Sequence, residues 1–199
     1  MAAFFQSLGK TIIAGVVLLI VLLIILAAVG GKVPLDSKDW WLFALRWLHV
    51  TAGVMWIGLL WYFNFVQTPS MPKIPDPEKP AISKVIAPAA LFWFRWAAMA
   101  TIILGLLIAM IGGYLVEALT LKKPFTNIGI GAWLGTIMWF NVWFVIWPNQ
   151  KKALGIVQVT PEEKAAAAKR AGMTSRINTM LSIPMLYFMV AQSHGGVAF

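Results

Sequence analysis

The sequence predicts an all-α integral membrane protein, a helical bundle with about five transmembrane helices. Hydrophobic residues make up 60% of the 199 residues and charged residues 12%, about half the charged share of a soluble domain. Apolar runs long enough to cross a hydrocarbon layer of about 30 Å recur along the chain. The seven acidic residues all fall in connections or near helix ends.

The first span covers residues 11–29 and is almost purely aliphatic. Its length exceeds the apolar core of a signal peptide, so it reads as an anchor helix. The remaining spans are expected at 40–66, roughly 91–116, 128–147 and 177–193. This divides the chain into an additional N-terminal anchor helix with its outer loop, residues 1–39, and a four-helix membrane domain, residues 40–199. Residues 68–88 carry Pro69, Pro72, Pro75, Pro77, Pro80 and Pro88 without hydrophobic periodicity, which predicts an extended connection. Residues 148–176 form the other long connection and contain a surface helix. Thr160 and Glu163 make its capping box, Pro161 suits its first position, Lys169 and Arg170 its last turn, and Gly172 its stop.

The net charge of +9 reports orientation and lipid headgroup contact in a chain of this kind, and a nucleic-acid partner is discounted. One side of the five spans collects Lys10, Lys73, Lys79, Lys84, Lys151, Lys152, Lys164, Lys169, Arg170 and Arg176. The other collects only Lys32, Lys38, Lys122 and Lys123. The positive-inside rule then predicts a multi-pass membrane protein with the N-terminus in the cytoplasm and the C-terminus outside. The chain has no cysteine, which excludes disulfides, thiolate metal sites, cysteine-ligated clusters and covalently attached haem within it. Any redox centre must be held by His, Met or Tyr.

The two histidines therefore matter most. His49 sits about nine residues into the second span, roughly 13 Å below the outer face at ~1.5 Å per residue, and His194 lies close to that same face. An ionisable group at membrane depth reads as a functional site, and neutral imidazole is a common metal ligand. A b-type haem between helices would take His49 as axial ligand and His194 as a second. Gly53 is one turn from His49 on the same face, Trp56 continues that face, and Arg46 lies one turn nearer the surface, where it could meet a propionate. Gly131 and Gly135 form a GxxxG pair, and Tyr187, Ala191 and His194 recur at helical spacing.

Each feature has a plainer reading beside it. A membrane histidine can hydrogen-bond a neighbouring helix's carbonyl, His194 can be a solvated terminal side chain, and the glycine pair can be a helix-packing notch. Arg95, within Phe92-Trp93-Phe94-Arg95-Trp96, reads as part of an interfacial aromatic belt. Asn64, Asn141, Asn178 and Ser182 read as interhelical hydrogen bonds. No nucleophile elbow, glycine-rich phosphate loop or intramembrane carboxylate is present, which argues against hydrolases, nucleotide sites and proton-relay transporters.

The blocks Arg46-Trp47-Leu48-His49-Val50-Thr51-Ala52-Gly53-Val54-Met55-Trp56-Ile57-Gly58, Trp93-Phe94-Arg95-Trp96, and Trp139-Phe140-Asn141-Val142-Trp143-Phe144-Val145-Ile146-Trp147-Pro148-Asn149-Gln150-Lys151-Lys152 resemble the membrane domain of bacterial membrane-bound urate oxidases, also called urate hydroxylases. So does Ser175-Arg176-Ile177-Asn178-Thr179 through Ser182-Ile183-Pro184-Met185 to Ser193-His194. The resemblance implies a multi-helix membrane domain, usually joined to a cytochrome c domain, with electrons from urate passing toward the respiratory chain. It also implies haem contact for His49 and His194 and a place in the bacterial inner (cytoplasmic) membrane, with the C-terminus periplasmic. The chain departs from the family in lacking a CxxCH motif and in its leading aliphatic span.

Two functions follow as expectations. One is a haem b-binding redox or electron-transfer module, an oxidoreductase component of urate-hydroxylase type, working with a cytochrome c in trans or with other subunits of a membrane complex. The other is a cofactor-free accessory or structural subunit of a larger respiratory or photosynthetic complex. Membrane lipid is a partner in both.

Overall fold

The computed structural model describes residues 2–197 and is all-helical among them. Its helices are α1 (Ala2–Phe5), α2 (Leu8–Ala28), α3 (Lys38–Lys73), α4 (Lys79–Gly112), α5 (Leu115–Leu119), α6 (Thr126–Ala153) and α7 (Pro161–His194). Four of these, α2, α3, α4 and α6, are long and apolar enough to cross a membrane. The chain divides into two compact units, Met1–Phe43 and Ala44–Phe199.

The first unit contains α1, α2 and the opening turns of α3, and none of its described residues is buried. Helix α2 is aliphatic all round, as a lone helix in lipid should be. At the start of α3, Ser37 Oγ accepts from the Asp39 amide at 3.2 Å, and Trp41 Nε1 donates to the Leu35 carbonyl at 2.9 Å.

The second unit packs an apolar core and exposes an apolar surface as well. Its core joins Trp56, Leu60 and Phe63 of α3, Phe94 and Ala98 of α4, Met138, Val142 and Ile146 of α6, and Met185 of α7. Along α7 the buried positions other than Met185 are small or polar: Ala167, Ala171, Thr174, Asn178, Ser182 and Ala191. The same helix exposes Ile177, Met180, Ile183, Tyr187 and Val190. That polar inner face lowers the helix's mean hydropathy, so the span expected at 177–193 is carried by a helix less apolar than the other four. Its polar groups are spent on neighbours. Fully buried Asn178 donates to the Met138 carbonyl at 2.9 Å and accepts from Asn141 Nδ2 at 2.8 Å. Ser182 Oγ accepts from Trp61 Nε1 at 3.0 Å, and Ser175 Oγ accepts from Asn64 Nδ2 at 2.8 Å. In a lipid setting such bonds specify how helices pair.

Two sequence expectations are corrected here. The proline-rich stretch 68–88 is mostly helical, with only residues 74–78 outside helices. Helix α3 carries a π-helical turn at Tyr62–Gln67, α4 one at Ile82–Ile86 and α6 one at Asn141–Ile146. Each ends two residues before a proline: Pro69, Pro88 and Pro148. The amides of Thr68, Ala87 and Trp147 reach back five residues, to Phe63, Ile82 and Val142. Proline lacks an amide hydrogen and clashes with the carbonyl four residues earlier, and widening the turn before it relieves that clash without breaking the helix. Proline content alone does not reveal this accommodation. Likewise Gly172 is no stop. The capping box forms, with Thr160 Oγ1 accepting from the Glu163 amide at 3.3 Å, but the surface helix and the fifth span are one helix, α7. A lone glycine costs a helix about 1 kcal/mol, too little to end one whose next turns are packed through Thr174 and Asn178.

Candidate functional site

Gly53 and Trp56 share a face of α3 with His49, directed at α4. Trp56 is only 1% exposed, with no partner for its indole nitrogen, and a Cβ at Gly53 would touch the Thr101 methyl at 4.0 Å. His49 itself is half-buried, and its Nδ1 lies 2.8 Å from the Thr101 carbonyl oxygen of α4. A carbonyl only accepts, so Nδ1 carries the hydrogen and Nε2 is left with its lone pair. Gly105, one turn beyond Thr101, makes the approach possible. A Cβ there would stand 3.1 Å from His49 Cε1 and 3.3 Å from Nδ1.

Arg46 is exposed, with no carboxylate paired to it among the described residues. It lies at the end of the bundle where α4 turns into α5. There Gly113, at φ +78°, caps α4, and Tyr114 stacks on Phe125 with ring centroids 4.9 Å apart. Burial pushes the Tyr114 phenol above its ordinary pKa, and the positive charge of Arg46 pulls it partly back. Gly112 leaves room for that ring, since a Cβ there would come within 2.6 Å of it.

His194 closes α7. It is exposed, and its Nδ1 lies 3.2 Å from the Val190 carbonyl of its own helix. The bonds Trp61–Ser182 and Asn64–Ser175 run in opposite sequence directions, so α3 and α7 are antiparallel. His49 is twelve residues before Trp61 and His194 twelve after Ser182, roughly 18 Å along each helix at ~1.5 Å per residue. The two imidazoles therefore lie at similar depth, closer than their expected positions in the spans imply. No bond joins them.

The glycine pair of α6 is a packing notch. A Cβ at Gly131 would press on Met189 at 3.2 Å, and one at Gly135 would touch Ile102 and Met185 at 4.0 Å. Arg95 turns inward rather than sitting in a belt, with its guanidinium carbon 3.4 Å from the Trp147 ring centroid and one terminal nitrogen buried without a partner. Trp93 and Trp96 beside it are exposed, as belt residues are. Sequence reasoning missed Thr101 and Gly105. A helical glycine facing the half-buried histidine could have signalled Gly105, whereas a backbone carbonyl leaves no mark in sequence.

Residues 121–199 match the family described as urate oxidase N-terminal. This segment is less than half of the chain and contains His194 but not Arg46, His49, Gly53 or Trp56. It suggests a urate-oxidase-related family for the segment that forms α6 and α7. No curated protein and no solved structure matches the chain.

Proposed function

We propose that the chain is a b-type haem-binding integral membrane module of the urate-hydroxylase type, serving electron transfer. The observation that carries this reading is the His49 ring. Metal-bound histidines characteristically donate their second ring nitrogen to a carbonyl or carboxylate, which fixes tautomer and orientation. Thr101 does this for His49 and leaves Nε2 free. The donor set thus fits a haem held through His49 Nε2, with Arg46 as the unpaired cation for a propionate and Gly53 and Trp56 on the ligand's own helix face. His194, at matching depth, is the second ligand. Bound haem would supply one-electron redox chemistry. With no cysteine-held centre in this chain, electrons pass to a cytochrome c in trans or to other subunits of a membrane complex.

The match of residues 121–199 supports the reading from the side of His194. The test is the optical spectrum of the natively expressed, purified chain. A reducible Soret band, lost in His49→Ala and shifted in spin state but retained in His194→Ala, is the expected result. A chain without the band overturns the proposal.

One observation favours a second reading, a cofactor-free accessory subunit: the Thr101 bond already satisfies one nitrogen of the imidazole within the protein. In that case His49→Ala weakens helix pairing, no preparation shows a Soret band, and the chain co-purifies with the complex it serves.

A further inference from the structure

A cleft lies away from His49, at the lysine-rich end of the bundle. It has a volume of about 410 Å³, sits between the end of α6 and the first turns of α7, and is lined by Asn149, Lys152, Glu163, Lys169, Arg170 and Met173 among others. A second cleft of about 290 Å³, lined by Lys152, Gln158 and Lys164, shares the Lys152 wall. Four cations thus face one carboxylate. None of the four is ion-paired among the described residues, where the sole pair is Lys79–Asp76 at 2.6 Å. Asn149 has its amide nitrogen engaged by the Val145 carbonyl at 2.7 Å, which fixes the side chain at the cleft wall. Like charges gathered in a concave site repel until an anion joins them, and a guanidinium with lysines beside it suits phosphate oxygens.

What identifies the anion is the surface that continues from the rim. Because α7 runs unbroken through Gly172, Arg170, Met173, Ile177 and Met180 recur at spacings of three and four residues and share one face. Met173 is 57% exposed, Ile177 41% and Met180 62%. A cationic cup therefore opens onto an apolar stripe that climbs the same helix, the shape of a headgroup joined to an acyl chain. A free phosphate would use the cup and leave the stripe idle.

We propose that this α6–α7 cleft is a binding site for an anionic phospholipid, its phosphate held by Lys152, Lys169 and Arg170 and its acyl chain lying along Met173, Ile177 and Met180. The site is independent of any haem at His49.

The test uses the full chain in a neutral detergent, with thermal unfolding followed as phosphatidylglycerol or inorganic phosphate is added. Phosphatidylglycerol should raise the melting temperature saturably, and phosphate at equal concentration should not. Lys152→Gln/Arg170→Gln should weaken the lipid response roughly 30-fold, since each basic residue at an anionic lipid surface contributes about fivefold. Lys122→Gln/Lys123→Gln, which removes the same charge from the connection before α6, should leave it unchanged. An equal loss in both double variants, a response to phosphate matching that to lipid, or no response to lipid would each overturn the assignment. So would a stronger response to an acidic peptide than to the lipid.

Discussion

At the residue scale, the His49 contact depends on an absence of atoms. Gly105 has no Cβ, and adding one places a methyl 3.1 Å from the imidazole, tighter than ordinary packing allows. The neighbour is a ring on a two-torsion side chain, so it yields by rotating away from the Thr101 carbonyl. Gly105→Ala should therefore be close to neutral, the loss of about 1 kcal/mol from one hydrogen bond cancelling the gain of about 1 kcal/mol that alanine brings to a helix interior. In a haem-loaded preparation it should also displace the Soret band, because a ligand imidazole that loses its carbonyl becomes a weaker donor. A stability gain of the full ~1 kcal/mol together with an unchanged spectrum would mean the ring does not need the bond. His49 itself was conspicuous in the sequence as an ionisable group among apolar ones. Its partner was not, since any helical residue offers the same carbonyl.

At the element scale, the polar residues of α7 do the work that apolar side chains do in a soluble bundle. Asn178 is the centre of that arrangement, joined to both Asn141 and the Met138 carbonyl of α6. Asn178→Leu removes two interhelical bonds and leaves the Asn141 amide without its acceptor. The expected loss is about 1–2 kcal/mol, measured by unfolding of the detergent-solubilised protein. The double variant Asn141→Leu/Asn178→Leu should lose less than the sum of the single losses, because no orphaned amide remains. Strict additivity would show that the pair contributes nothing jointly. The sequence marks these residues as interhelical bonds, and they are. It misreads the helix ends because prolines and glycines punctuate structure by default. Three prolines here are absorbed by π-helical turns, and Gly172 is carried through by the packing on either side of it. Both outcomes depend on tertiary surroundings, which local propensity does not contain.

At the scale of the whole molecule, the charge distribution and the helix order make one joint claim about orientation. The turn between α3 and α4 and the turn between α6 and α7 lie at the same end of the second unit, and the helix ends that flank them carry Lys73, Lys79, Lys152 and Lys164. The connection from α5 to α6 lies at the other end and holds Lys122 and Lys123. Translocating a lysine against the membrane potential is unfavourable, so the richer end should stay in the cytoplasm. The chain has no cysteine, which makes it directly suited to single-cysteine labelling. Lys123→Cys should react with a membrane-impermeant maleimide in intact cells, while Lys79→Cys and Lys164→Cys should react only after permeabilisation. The opposite pattern would invert the orientation and put His49 and His194 toward the cytoplasm, leaving a periplasmic cytochrome c out of reach. Labelling of all three from one side would break the spans themselves, since α4 and α6 each separate Lys123 from one of the other two positions by a single crossing.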